Sequence, residues 1–321
     1  PKSLVGELFQ YVTSHETGHA LGLMDGNYGE YAYPMEKIRD VQWLRKMGHT
    51  PSIMSYARHN YIAQPEDSIP ASLLLQKVGP MDLFQIKWGY SNFPRATSPL
   101  EERPILDSII LAYDSIPWYR FNADWYGRIG PGNTHEAVDN RDPISSTELG
   151  LRNMEKVMGL LPKLNRDQPD DALLKRLYKK TLELWFHEMR HVLSLVGGYT
   201  IHYKSGAQPG ALYTPISIEE QRKALRFMLK NAFEVPLWLE HPSFQYRLDE
   251  ISGSDMLLVY QLQLLSELLG VSRMGRLEHM EGNHHYEAVL WEMIGMLQEG
   301  LFQELEDPRA DISPRRQALQ R

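Results

Sequence analysis

The chain contains no cysteine. That excludes disulfides and sulfur ligands, so any metal must be held by histidine and carboxylates, and it leaves the compartment open. Long hydrophobic runs are also missing: none approaches the ~20 apolar residues needed to span a bilayer, so no transmembrane segment is expected. Positive charge is in deficit, with 34 Lys and Arg against 41 Asp and Glu, a net charge of −7, and no basic block. A general nucleic-acid binder would show the opposite balance. No tandem repeat, low-complexity tract or coiled-coil heptad run organises the chain. What remains is an ordinary globular composition, 42% hydrophobic and 23% charged over 321 residues. That length suits two domains and a sizeable core.

The chemistry-bearing stretch lies near the start. His15-Glu16-Thr17-Gly18-His19 has the form His-Glu-x-x-His, and it continues to Gly22 and Asp25. On a helix His15 and His19 stand at i and i+4, so both imidazoles project from one face at a separation that can grip one zinc ion. Glu16, one residue round, can reach a water on that metal without ligating it, as a general base must. Gly22 lets the chain leave the helix sharply, and Asp25 can then swing back as a third, oxygen ligand. Three protein ligands and an open position are the arrangement of a catalytic rather than a structural zinc.

The same five-residue pattern recurs as His187-Glu188-Met189-Arg190-His191. This copy lacks the Gly-x-x-Asp extension, and the best remote carboxylates, Glu219 and Glu220, fall on the next helix. A pair of histidines on a packed helix is the better reading, with a second metal site as the alternative.

Residues 4 to 23 read as one helix whose stripe of Val5, Leu8 and Val12 runs into the histidine face, so a buried apolar helix is expected. Turn residues follow at Asp25-Gly26-Asn27-Tyr28-Gly29, and then Pro51-Ser52-Ile53-Met54-Ser55-Tyr56. The extended zinc motif with Ser-Ile-Met-x-Tyr at this distance resembles the metzincin metallopeptidases and their Met-turn. The resemblance implies that Met54 forms an apolar floor beneath the zinc-ligand imidazoles, which suits a soft side chain able to pack under rings. Many metzincins use histidine as third ligand; Asp25 is similar to the snapalysin-like variant. Tyr56 lies two residues after the methionine as in astacins and serralysins, which implies a phenol able to hydrogen-bond the oxyanion of peptide attack. Its other reading is a buried ring with a satisfied hydroxyl.

The segment 57–79 reads as a long loop, which in metzincins borders the pocket for the substrate side chain beyond the scissile bond; His59 is expected off the metal. Gly79-Pro80-Met81-Asp82 opens a closing helix that ends at Gly89, with Leu83, Ile86 and Tyr90 packing and Asp82 capping or supporting. With this helix the first 90 residues resemble the large bacterial zinc-dependent metallopeptidases of the Met-zincin type. Residues 105–113 fit a strand or a short helix. Asp114, Asp124, Asp139 and Asp142 are either solvated turn residues or ligands for a calcium ion, without EF-hand spacing. Beyond 145 the chain reads as helical, with Ser217 and Glu220 as a capping box, a break at Asn283–Glu287, and a polar, frayed end from Asp307.

The expected fold is therefore mainly α. Residues 1–92 form the carboxy-terminal subdomain of a metzincin catalytic domain (zinc helix, Met-turn, closing helix), 93–145 a loop-rich connector, and 146–321 an α-helical domain. The expected activity is zinc-dependent endopeptidase hydrolysis by metal-activated water, with one Zn²⁺ on His15, His19 and Asp25, and Glu16 and Tyr56 as catalytic groups. Met54 and Gly22 give structural support. The expected partners are a peptide or protein substrate and an amino-terminal half of the same protein, since no strands precede the zinc helix. Nucleic acid is not expected. The resemblance implies a periplasmic or secreted protein. The competing expectation is a non-catalytic helical binding module whose zinc motif is structural or vestigial.

Overall fold

Helical periodicity runs through most of the sequence, and the computed structural model is accordingly mainly α. It describes residues 2–26, 31–120, 129–131, 141–248, 255–283, 285–306 and 309–321. The chain divides into two compact units, residues 1–146 with 200–214, and residues 147–199 with 215–321.

The first unit contains α1 (Lys2–Ala20), α2 (Val41–Met47), α3 (Pro80–Tyr90) and α4 (Pro99–Tyr113). Local signals set their ends. Asp40 caps α2 by accepting from the amides of Gln42 and Trp43, and Gly48 leaves it at φ 71°. Proline occupies the first position of both α3 and α4, where its missing N–H costs nothing, and Ser98 caps α4 through the amide of Glu101. Tyr33, Ile38, Leu44, Met54 and Ile62 are almost wholly buried and form the core around which the loops wind. Tyr33 packs edge-on against Trp43 and Trp118, with ring centroids 5.2 and 5.5 Å apart.

Three expectations change here. The apolar side of α1 is not buried: Val5, Val12 and above all Phe9, 70% exposed, face outward, because none of the described residues packs over that half of the helix. In α3, Leu83 and Tyr90 are exposed, and the inward face is formed by Met81, Asp82 and Phe84. The helix turns this way because Asp82 is drawn inside by hydrogen-bond donors described below. Residues 105–113 are helical, as the second half of α4.

The second unit holds most of α5 (Pro143–Leu164), together with α6 (Ala172–Leu193), α7 (Ile218–Met228), α8 (Leu237–Glu240), α9 (Met256–Leu268), α10 (Val271–Gly282), α11 (Val289–Phe302) and α12 (Pro314–Leu319). Its core centres on Leu161, Leu174, Trp185, Met189, Leu193 and Leu225, all nearly inaccessible. Ser217 caps α7 as expected, the amide of Glu220 donating to its hydroxyl at 3.2 Å, but the expected capping box is not closed: the Glu220 carboxylate accepts from the Ser217 hydroxyl at 2.7 Å instead of reaching the Ser217 amide. The helix ends in a π turn, Leu229–Phe233. Wider winding leaves carbonyls without their usual partners, and side chains supply them: Trp185 donates to Asn231, Gln261 to Ala232 and Arg316 to Phe233.

Two features of the chain beyond residue 145 were not anticipated, the first of them mostly in residues 200–214 of the first unit. A two-stranded ribbon, β1 (Tyr199–Ile201) and β2 (Tyr213–Pro215), interrupts the helices. Its Tyr-Thr-Ile and Tyr-Thr residues favour strands, but the segments are too short to stand out from a helical background. The carboxy-terminal end is not frayed either. Ser313 caps α12, Leu319 is buried, and the guanidinium of Arg316 reaches the carbonyls of Phe233 and Gly300 and the carboxylate of Glu304.

Candidate metal centre

The site starts with how α1 stops. The amide of Leu23 donates to the Gly18 carbonyl and that of Gly22 to the His19 carbonyl, both at 2.9 Å, with Gly22 at φ 82°. This is a Schellman ending, and only the left-handed backbone demands glycine there, since a Cβ would meet nothing within 4 Å. The reversal brings the Leu23 carbonyl back to Nδ1 of His19 at 3.0 Å. His15, buried on the same face, uses its own Nδ1 on the Ile53 carbonyl at 2.9 Å. Each carbonyl can only accept, so each ring carries a proton on Nδ1, and Nε2 is the ring nitrogen left to hold a metal.

Both Nε2 atoms lie 3.5 Å from Oδ1 of Asp25. That is too long for a good hydrogen bond. It is close to the separation of about 3.4 Å between donors that each stand about 2.1 Å from a tetrahedral metal. Oδ1 of Asp25 is buried and has no hydrogen-bond partner among the described residues. An orphaned carboxylate oxygen facing two imidazole nitrogens fits a divalent cation better than it fits any pairing within the protein. Among the described residues, His15, His19 and Asp25 are the one group of three potential ligands, their donor atoms all within 4.8 Å of one another.

The turn at Met54 is braced from below. Asp82 of α3 accepts from the Ser52 hydroxyl at 2.6 Å, the Ile53 amide at 2.8 Å and the Gly79 amide at 2.7 Å. Burial pushes its pKa up, against the pull of these donors and of His15. Gln76 donates to the carbonyls of Ser52 and Ser55. Inside this frame the Met54 thioether lies against Gly18, where a Cβ would collide with its sulfur. Met54 thus fills the space beneath the helical turn that joins the two histidines. Gly79 makes a similar close approach to the Pro51 carbonyl. Neither Gly18, Gly79 nor Gln76 was singled out from sequence. The one available signal was a glycine inside the His-Glu-x-x-His spacing, and it gains meaning only when a bulky partner is known to face it.

Tyr56 donates its hydroxyl to Oδ2 of Asp25 at 3.1 Å. In this structure the phenol therefore orients the carboxylate whose other oxygen faces the histidines. Glu16 is exposed and makes no hydrogen bond or ion pair among the described residues. Tyr11, one turn before His15, has its ring centroid 6.2 Å from that imidazole. Burial pushes its pKa up against the charge of Arg58, while Asp25 and Glu16 add to the rise. Tyr11 and Arg58 therefore stand beside the candidate centre, though the sequence did not mark Tyr11. His59 is exposed and outside the metal-holding group.

The second His-Glu-x-x-His is arranged differently. Glu188 and His191 are buried, and both Glu188 carboxylate oxygens lack hydrogen-bond partners. Burial raises the Glu188 pKa to about 7. Its folded pKa exceeds its unfolded one, so its contribution to stability is complete below about pH 4.5 and is lost as pH rises to about 7. The loss amounts to roughly 3 kcal/mol. Glu188→Gln is therefore expected to be more stable than wild type at pH 8 and to flatten the decline between pH 5 and 8, as read by thermal melts across that range. Of the four aspartates named as calcium ligands, Asp124 and Asp139 lie outside the described residues. Asp142 caps Ser145, and Asp114 accepts from Gln208 and lies against His202.

The sequence pattern of the Met-zincin family matches residues 1–309. The chain belongs to the Met-zincin family. No curated protein and no solved structure matches it significantly. The match to the Met-zincin family extends over both units. For a Met-zincin the donor set is apt: two neutral imidazoles and one carboxylate suit zinc, and the family implies zinc binding.

Proposed function

We propose that this chain carries the catalytic centre of a zinc-dependent endopeptidase, with His15, His19 and Asp25 as ligands and residues 1–92 as the segment that bears the chemistry. The convergence of two proton-locked imidazoles on an orphaned carboxylate oxygen is the observation that supports this reading most. Zinc held there would supply Lewis-acid polarisation of the scissile carbonyl and acidify water beside it. Glu16 takes the proton from the attacking water and returns it to the leaving amine. Tyr56 holds Asp25 in its ligating orientation through Oδ2, and Met54 keeps the histidine turn rigid from beneath. The substrate is an unfolded peptide segment, and the site works outside the cytoplasm, as the resemblance to exported bacterial peptidases suggests. Among the described residues no helix is long and apolar enough to cross a membrane.

The test is elemental analysis of the purified chain alongside hydrolysis of a quenched-fluorescent peptide library. Wild type and His187→Ala are expected to carry one zinc per chain, and His15→Ala none. Zinc lost from His187→Ala but kept in His15→Ala would overturn the assignment. Zinc-loaded wild type that cleaves no library member would move the site to the binding-module alternative.

A further inference from the structure

A cavity of about 480 Å³ opens in the first unit beside the Leu21–Met24 turn, and none of its described lining residues comes from the 57–79 loop. Its walls are aromatic. Phe84 and Trp88 of α3 and Tyr113 of α4 line it, and Tyr119 packs on Phe84 and Tyr113 with centroids 5.3 and 4.7 Å away. The volume is that of a small-molecule site and would admit an aromatic amino acid or a dipeptide.

The rim from residues 114–120 and 202–208 is polar. Asp114 is already engaged, with Gln208 donating at 2.7 Å and His202 Nε2 at 3.1 Å. Burial first, and the Arg120 charge second, lower the His202 pKa. Arg120 and Lys204 therefore leave the rim with a surplus of positive charge. Arg120 has no carboxylate partner among the described residues, and its Nε is buried without a hydrogen bond. An Arg120 without a carboxylate partner, beside surplus positive charge, calls for an anion, and the rings call for an apolar body.

We propose that this cavity is a ligand site separate from the metal centre, taking an aromatic or large apolar group that bears a carboxylate. Such a ligand is either a free N-acylated amino acid or the carboxy-terminal residue of a peptide, two sources of one chemistry. The site also touches the metal region, because Leu21–Met24 lines the cavity and leads directly to Asp25, and the Tyr90 hydroxyl holds the Leu21 carbonyl at 2.9 Å.

The experiment is calorimetric titration of the full 321-residue chain with N-acetyl-tryptophan and with its neutral amide. Arg120→Met and Trp88→Ala are titrated in parallel, each checked for an unchanged melting temperature. The acid is expected to bind wild type at least about 10-fold more tightly than the amide, the worth of a charge-assisted hydrogen bond to a carboxylate. Arg120→Met should bring the acid down to the amide, and Trp88→Ala should weaken both. Hydrogen exchange should slow at residues 21–24 on binding. The peptide acetyl-Ala-Ala-Trp as free acid separates the sources: tighter binding than N-acetyl-tryptophan points to a chain terminus, weaker binding to a free acid. Equal affinity for acid and amide, no binding of either, or a preference that survives Arg120→Met would overturn the proposal. None of these readouts depends on peptidase activity, so the result stands apart from that of the metal centre.

Discussion

Glu16→Gln is expected to keep one zinc per chain and to lose peptide hydrolysis by about 10²–10⁴-fold in kcat, the usual worth of a general base. The substitution preserves shape and helix propensity but removes the basic lone pair. Glu16 makes no hydrogen bond or ion pair among the described residues and is exposed, so the change should cost little stability. Neither His15 nor His19 uses Glu16 to hold its tautomer; the carbonyls of Ile53 and Leu23 do that. Metal affinity should therefore be untouched, and KM should change little because the lost interaction belongs to proton transfer. The check is steady-state kinetics on metal-analysed protein. A Glu16→Gln protein with full activity would remove Glu16 from its role and direct attention to Tyr11 and Tyr56, whose rings both stand beside His15. A loss of zinc in parallel with activity would instead show that Glu16 helps hold the metal.

Asp82→Ala is expected to destabilise the first unit by about 3–5 kcal/mol, as when one partner of a buried charged network is removed. Asp82 is 3% exposed, and its carboxylate receives two backbone amides and one hydroxyl. Without it, the amides of Ile53 and Gly79 and the Ser52 hydroxyl are left inside with no acceptor. The consequence reaches the metal centre through the chain itself. Ile53 supplies the carbonyl that fixes His15, and the next residue is the methionine beneath the histidine turn. Zinc affinity should therefore fall along with stability, although Asp82 is not a proposed ligand. Urea denaturation followed by tryptophan fluorescence, with zinc titration of the folded variant, measures both. A destabilisation below about 1 kcal/mol would mean that the Met-turn holds its shape without this brace.

The chemistry-bearing pattern was legible because it is local. Two histidines four residues apart share a helix face by periodicity alone, Gly22 marks a left-handed exit, and Asp25 is three residues beyond it. These are properties of a short segment, and the structure brings His15, His19 and Asp25 to one place. The helical character of residues beyond 145 was legible for the same reason, from apolar periodicity and from caps such as Ser217. Contacts between distant parts of the chain were not. That Tyr56 would rest on Asp25, that Gly18 must be bare because Met54 occupies its side-chain space, and that Gln76 and Asp82 would tie down a turn at 52–55 all depend on residues 21 or more apart in sequence meeting inside the fold. Burial likewise escaped periodicity. The apolar face of α1 and Leu83 of α3 have the right residue types to be inside, yet the described packing leaves them exposed.

The sequence by itself determined which residues could hold a metal and on what local element each would stand, because helix geometry and chain reversal act over a few residues. The tertiary structure decided how those residues are held, through hydrogen bonds whose two ends only folding brings together. It also decided that a short ribbon would enter the helical region and that aromatic side chains from α3 and α4 would enclose a cavity. Those outcomes follow from packing, where each side chain's partner is chosen by the shape of the whole unit rather than by its neighbours in sequence.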